Sequence, residues 1–527
     1  MTDDRVDVLV AGGGIAGLSA ALFLRRYGVD TLLVERHRGT SLLPRGRILN
    51  SRTMEIFRGY GLEPAIRSAP HSIFRDYPQS AHARTLSAPH SYLATRPAPG
   101  HSADFSPCPP VLIDQSTVEP ILLDAAAAAG VRLSHDTEVV DLEPIGDRVR
   151  VRLRGRKRTV EARYVIAADG HNSTIRSALH IPVDGAVLDH VVNVPFAADL
   201  SGPLAGRGLA LCYVDEPAPN TLLSRLDGPD RWLLMTPYDP ATESLDDFTD
   251  ERCVAAIRAA VGRPDLPVRL LPTMPGSNRR VHGWQLASRV ARRYRSGRVF
   301  LVGDAAHVMP PAGGMGANTG VQDAHNLAWK LGFVLQGWAG DGLLDSYESE
   351  RRPVAELTCG FSAQRLRDRV SGQGEGAGPD PLAVALGYRY AGGPPVHPSK
   401  LDGRPGARLP HLTLDNGRST LDLIDSDLLL LAGPAAPRFV AAARRLAAHG
   451  IPVHGVQIDP SDRDRWSARF AVGPAGALLV RPDGFVAAAW PNAGSGALGN
   501  ARAAVARLGV RADGRRAVPA LMSAMVS

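Results

Sequence analysis

The tightest constraint on this chain lies at its amino end, in VDVLVAGGGIAGLSAALFLRRYGVDTLLVE, residues 6–35. Residues 6–11 form an apolar run of strand length, 18–27 carry a helical period, and 31–34 form a second short apolar run. Gly12, Gly14 and Gly17 punctuate the junction as G-x-G-x-x-G, and Glu35 ends the second strand eighteen residues beyond Gly17. A strand, glycine turn, helix and parallel strand closed by an acid is the context in which this pattern holds a dinucleotide. Gly12 permits the tight turn, Gly14 lets the backbone approach a pyrophosphate, Gly17 allows close helix packing, and Glu35 accepts from a ribose. The pattern alone does not separate FAD from NAD.

Two later stretches carry the same kind of information. In residues 164–176, YVIAADGHNSTIR, an apolar strand ends at Asp169, Gly170 permits a turn, and Ser173 and Arg176 can bond backbone and phosphate groups. In residues 297–331 a strand at 299–302 delivers Asp304 to its carboxyl end, where α/β sheets place ligand-binding groups. A Pro/Gly-rich turn, 310–316, follows. Asn318 and Thr319 are then expected to cap a helix starting at Gly320, with Val321, Ala324, Leu327, Ala328 and Leu331 on one face. A helix amino end suits an anion, such as a reduced flavin with charge around N1 and O2.

In this order, the three stretches resemble the FAD fingerprints of the flavoprotein aromatic hydroxylases, single-component monooxygenases that include phenol and aromatic-polyketide hydroxylases. The resemblance implies an α/β fold: a Rossmann-like FAD-binding domain, a β-sheet substrate domain, and a C-terminal thioredoxin-like domain. It implies that Asp304 holds the flavin ribityl chain and that Pro311, Gly314, Gly316, Ala317 and Asn318 line the isoalloxazine ring. Ala16 and Arg36 join Gly12, Gly14, Gly17 and Glu35 as cofactor-binding positions, and Asp169 belongs to a motif shared by FAD and NAD(P)H. Within LLPRGRILNSRTMEIFRGYGL, residues 42–62, Arg45 matches an arginine near the flavin and the incoming nicotinamide. Gln115 matches a glutamine that contacts FAD, and Val139 lies on a strand whose backbone meets adenine. Residues 115–129 read as a helix, for which Ser116 and Glu119 are expected to form a capping box.

The expected division is a discontinuous FAD-binding domain (1–75, 105–182 and 285–372), a substrate domain (76–104 and 183–284), and the thioredoxin-like domain (385–527). Strand-like runs at 209–214 and 232–237 and a helix over 250–261 fill the second. Tyr213 and Tyr238 are its pocket candidates; no side chain can be assigned a catalytic role. The family's closing helix signature is LLDSYESERRP, residues 343–353, and Gly/Pro-rich segments over 372–400 read as linker. The tail contains no cysteine after Cys359, so it is expected to serve packing or homodimerisation, not thiol exchange. A second G-x-G-x-x-G at 494–499 lacks a following strand with an acid and is not read as a nucleotide site.

Composition narrows the rest. A net charge of +7 comes from scattered arginines, with the densest cluster (Arg152, Arg154, Arg156, Lys157, Arg158) reading as a polar hairpin, which argues against nucleic-acid binding. Four cysteines without metal-ligand spacing argue against zinc and disulfides. No run approaches a membrane span and no signal peptide precedes the first strand, so a cytoplasmic protein without membrane partners is expected. The implied activity is hydroxylation of a phenolic or polycyclic polyketide substrate, as in antibiotic biosynthesis. It uses non-covalent FAD, NADPH or NADH as transient co-substrate, and O2, through a flavin C4a-hydroperoxide. Baeyer–Villiger insertion by the same fold and a non-catalytic FAD protein that binds an aromatic ligand are the alternatives. The Trp-x-Trp-x-Ile-Pro motif of flavin halogenases is absent.

Overall fold

The computed structural model describes residues 4–40, 46–93, 103–155, 158–273, 277–371, 378–390, 392–492 and 496–512. Its first sheet has the spatial order Arg295–Ser296, Val299–Leu301, Arg158–Ala167, Asp4–Ala11, Thr31–Val34, Arg132–Ser134. From Val299–Leu301 to Arg132–Ser134 every neighbour is parallel. Helices on its faces explain why the strand Thr31–Val34 reads as an unbroken apolar run: all four residues are buried. The hairpin Glu138–Ile145/Arg148–Arg154 pairs antiparallel with Arg158–Ala167, and its Arg152 and Arg154 face Asp141 and Glu138 across the hairpin. Arg156 and Lys157 lie outside the described residues.

The second sheet has nine strands. Its main path runs from His307–Val308 through His282–Ala291, Val183–Ala197, Arg231–Pro237, Thr221–Arg225 and Leu209–Val214 to Gln79–Ala83 and His90–Leu93. One face is filled by the helix Asp250–Val261, whose Cys253, Ile257, Ala260 and Val261 pack on Val192, Val194, Phe196, Cys212, Leu223, Trp232 and Leu234. The long helix Ser346–Val370 crosses the opposite face. Its Cys359 Sγ donates to Val308 O at 3.5 Å, and its Leu366 and Val370 pack with Tyr213 and Leu222.

The third sheet orders Val453–Gln457, Leu428–Ala432, Ala477–Val480, Val486–Trp490; the first pair is parallel and the others antiparallel. This is the thioredoxin-like arrangement, without a cysteine pair. The strand preceding the second glycine pattern, Val486–Trp490, is an antiparallel edge strand, so no parallel βαβ unit surrounds Ala497–Arg507. Gly494 and Ser495 lie outside the described residues.

Buried charge welds this domain to the rest. Arg408 grips Glu55 through both Nε and Nη2, with Arg52 on the same carboxylate at 3.0 Å. Arg481, in the turn before Val486–Trp490, bonds Glu350 at 2.5 and 2.8 Å and also Asp483, while Asp483 accepts from Asn326 at 3.0 Å. Lys330 Nζ completes the cluster at 2.7 Å from Glu350. Burial pulls the Lys330 ammonium down to about 8, and Arg481 and Lys330 hold the Glu350 carboxyl far below the usual range. No helix among the described residues is long and apolar enough to cross a membrane.

Candidate active site

The first glycine loop is shaped by close approach. Gly12 has φ +114°, and a Cβ there would collide with the carbonyl of Ala168, the residue before Asp169. Beyond it, the helix Ile15–Arg25 starts at Gly14 with no side-chain cap and no acid in its first turn, so its amino end is left for an anion. Glu35 Oε2 accepts from Gly13 N at 2.6 Å, and Oε1 accepts from His37 N at 2.8 Å. Its carboxylate therefore lies beside the loop, where a ribose would be held. Arg36 follows as an exposed neighbour. Thr137 N donates to Glu35 O at 2.9 Å, which brings the segment leading to the buried Val139 alongside.

The second and third fingerprints converge on the same place. Asp169 Oδ2 accepts from Ile175 N at 3.2 Å, Ser173 caps the turn through Arg176 N at 2.9 Å, and Arg176 reaches Ala305 O at 2.9 Å and His171 O at 3.0 Å. Asp304 is exposed while Gly303, Ala305 and Ala306 around it are buried, so only its side chain is presented outward. A Cβ on Gly303 would stand 2.9 Å from the Ala16 methyl and 3.7 Å from Gly320 Cα. Ala16, Gly303 and Gly320 thus press the first helix, the Asp304 turn and the third-fingerprint helix together.

That helix starts earlier than its composition suggests. It spans Gly316–Leu335, so Asn318 and Thr319 do not cap it. Thr319 Oγ1 donates back to Met315 O at 2.9 Å. Asn318, nearly fully buried, accepts from Asn50 N at 2.9 Å and donates to Ile48 O at 2.9 Å and Gly314 O at 2.6 Å. It clamps the segment 48–50 to the Pro/Gly turn, in which Gly314 N also donates to Pro311 O at 3.0 Å. With no side-chain cap and no acid in the first turn, Gly316 and Ala317 present an open, positive helix end.

The capping box expected at Ser116 is also absent. The helix Gln115–Ala128 has Asp114 at its cap position, and Glu119 instead accepts from Gln115 Nε2 at 2.5 Å. Glu119 Oε1 lies 3.7 Å from the site of a Cβ on Gly14, so this pair borders the pyrophosphate loop. Gln115 Oε1 and the Ala317 methyl lie 3.4 and 3.6 Å from the site of a Cβ on Gly46. Arg45, one residue earlier, lies outside the described residues. The two uncapped helix ends, the Glu35 carboxylate beside the glycine loop, the outward carboxylate of Asp304, and a cradle with no room for extra methyls fit FAD.

Sequence reasoning passed over the support beneath this cradle. Asp323, fully buried, accepts from Arg351 Nε at 2.7 Å, from Gly303 N at 3.3 Å, and pairs with His307 Nε2 at 2.7 Å. One carboxylate thereby holds both ends of the segment carrying Asp304. Its only signal was a charged residue on the apolar stripe of a helix. Asp323 is held below the usual carboxylate range by Arg351 and His307 against its burial.

Tyr213 is 6% exposed on the sheet face crossed by the long helix, with Leu93, Leu211, Leu222, Met235, Leu366 and Val370. Tyr238 lies on the other face, edge-on to Phe248 at 5.7 Å, and packs with that core.

With this geometry in place, comparison with known proteins is direct. An FAD binding domain model matches residues 5–362, and an aromatic-ring hydroxylase C-terminal model matches residues 402–509. The chain belongs to the FAD-dependent aromatic-ring hydroxylases. This hydroxylase is 38% identical to tetracenomycin A2 monooxygenase-dioxygenase of Streptomyces glaucescens over 98% of each chain. It is 37% identical to aklavinone 12-hydroxylase of Streptomyces purpurascens, covering 92% of this chain and 96% of that one. Among solved structures it matches the ternary complex of aklavinone-11 hydroxylase with FAD and aklavinone, with TM-score 0.86 and 34% identity, covering 97% of this chain and 100% of that one. The hydroxylase is a flavin monooxygenase with FAD as its cofactor.

Proposed function

We propose that this hydroxylase inserts one oxygen atom of O2 into an electron-rich ring of a polycyclic, polyketide-derived aromatic, with NADPH or NADH as transient reductant. The observation that carries the reading is that the strand His307–Val308, just after the Asp304 turn, pairs into the sheet whose apolar face (Leu211, Leu222, Met235) packs with Leu366 and Val370 of the helix Ser346–Val370. Bound FAD supplies the redox chemistry. The chain supplies position and electrostatics. The open amino end at Gly316 and Ala317 favours negative charge on the pyrimidine side of a reduced flavin, Asp304 and Glu35 hold its hydroxyl-bearing parts, and the apolar face excludes water from the ring.

The second dinucleotide has no Rossmann unit of its own among the described residues, which supports transient approach of the nicotinamide near Asp169–Arg176 and Arg45. We read residues 1–75, 105–182 and 285–372 as the FAD-binding domain, 76–104 and 183–284 as the substrate domain, and 385–527 as a packing domain available to a homodimer.

Oxygen uptake and product mass spectrometry across phenols and polycyclic polyketides test this reading. A mass gain of one oxygen, with uptake dependent on the aromatic, is expected. Insertion into a ring carbon–carbon bond would instead favour Baeyer–Villiger chemistry, and binding without uptake would sink the monooxygenase assignment for that ligand.

A further inference from the structure

The sheet face that bears Tyr213 changes character along one cross-strand row. The register places Tyr213 beside Leu222, Leu222 beside Met235, and Met235 beside Asn193, and side chains paired in this way share a face. Tyr213 and Leu222 are buried beneath Leu366 and Val370, whereas Met235 and Asn193 are only half-buried. Beside Asn193, on the same face, Trp284 pairs with Val191. The strand holding Trp284 also pairs with His307–Val308, from which the flavin loop departs. Asn193 and Trp284 therefore stand where the apolar face emerges from the roofing helix.

Their contact fixes an orientation. Trp284 Nε1 donates to Asn193 Oδ1 at 2.9 Å. An indole N–H is only a donor, so the amide cannot be turned the other way without losing the bond. Asn193 must present its NH2 group, never its carbonyl, to the space over Met235. His282 is the direct cross-strand neighbour of Asn193 on this face; a polar group on a largely apolar binding face costs stability when left without a partner and confers orientation when a ligand supplies one.

We propose that Asn193, braced by Trp284, is a specificity-determining donor that reads a ring carbonyl oxygen at the outer end of a flat aromatic substrate. The proposal rests on the hydroxylase reading above. Asn193 makes contact with substrate; Trp284 is a positioning residue.

Titration of the FAD-loaded enzyme with 1-hydroxyanthraquinone and with 1-hydroxyanthracene, followed by the flavin absorbance change, separates the two ideas. Wild type should prefer the quinone. Asn193→Leu should weaken the quinone on the order of ten-fold and the hydroxyanthracene by less than about two-fold, because one hydrogen bond is lost and no apolar contact. Asn193→Asp keeps the volume and the indole bond but faces the quinone oxygen with a carboxylate, so it should weaken the quinone at least as much. Trp284→Phe should lose part of the preference, since the amide is then free to turn. FAD content equal to wild type serves as the folding control. Equal weakening of both probes in Asn193→Leu, or unchanged preference in either Asn193 variant, overturns the proposal and leaves the hydroxylase reading standing. Full preference in Trp284→Phe overturns the brace. A wild-type holoenzyme that binds neither probe overturns the aromatic-site reading and the proposal with it.

Discussion

Arg176 Nη1 donates to the carbonyl of Ala305 at 2.9 Å, so the second fingerprint is bonded to the residue after Asp304. Replacing Arg176 by Leu removes this brace and its companion to His171 O. Hydrogen bonds from a charged donor contribute about 1.5–3 kcal/mol, and part of that should reach the cofactor through the Asp304 turn, weakening FAD on the order of ten-fold. Fluorescence titration of apoprotein with FAD measures it. A lower melting temperature with unchanged FAD affinity would show that the brace serves only the fold.

Asp304→Ala should weaken FAD more directly, by roughly ten- to a hundred-fold, because a charged acceptor for the ribityl hydroxyls is lost. Asn at this position should fall between Ala and wild type. The same titration decides it: wild-type affinity in a folded Asp304→Ala protein would remove this residue from the cofactor site.

Arg481→Met leaves Glu350 and Asp483 buried without their main counter-charge. Removing one partner of a buried pair typically costs about 3–5 kcal/mol, so soluble yield and melting temperature should both drop. Adding Glu350→Gln in the same chain should recover part of the loss, because Lys330, already drawn down to about 8, can shed its proton cheaply. Thermal melts of the single and double variants check this, and a single variant as stable as wild type would contradict it.

His325 gives a pH signature. It sits between Phe23 and Tyr60, with ring centroids 5.4 and 6.0 Å away, and burial pushes its pKa down from 6.5 to about 3. The folded-state value is depressed, so its contribution is fully present above pH 6.5 and is lost as pH falls toward 3. Linkage allows at most about 1.4 kcal/mol per pH unit from one proton across that window. Above pH 4.5 the carboxylates of Glu55 and Asp323, held low by arginine neighbours, are still charged and add little slope. Chemical denaturation between pH 6.5 and 4.5 should therefore show falling stability in wild type and a flatter profile in His325→Gln. Parallel profiles would assign the slope elsewhere.

Much of this was legible in the chain because local pattern and tertiary role coincide. The strands 31–34, 209–214 and 477–480 and the helix 250–261 stand where their apolar periods place them. The motifs named the residues that meet around Gly12, Asp169 and Asp304. What failed was local chemistry overruled by distant partners. Asn318 looks like a cap, yet its amide is spent on Ile48 and Asn50, some 270 positions away. Glu119 looks like half of a capping box, yet Gln115 engages it beside the pyrophosphate loop. Tyr238 could not be assigned a face without knowing which side the helix Asp250–Val261 covers.

The grip of Arg408 on Glu55 and of Arg481 on Glu350 has a consequence for lineage and for engineering. A terminal domain that brings its own counter-ions to acids buried in another domain cannot be traded between relatives as a cassette. A chimaera joined near residue 385 would leave Glu55 with Arg52 alone and Glu350 with Lys330 alone unless the donor tail carries basic residues at both places. Recombination across this boundary should thus be tolerated only where Glu55, Glu350, Arg408 and Arg481 travel as a set, and parents for domain shuffling are best chosen on those four positions before overall identity is considered.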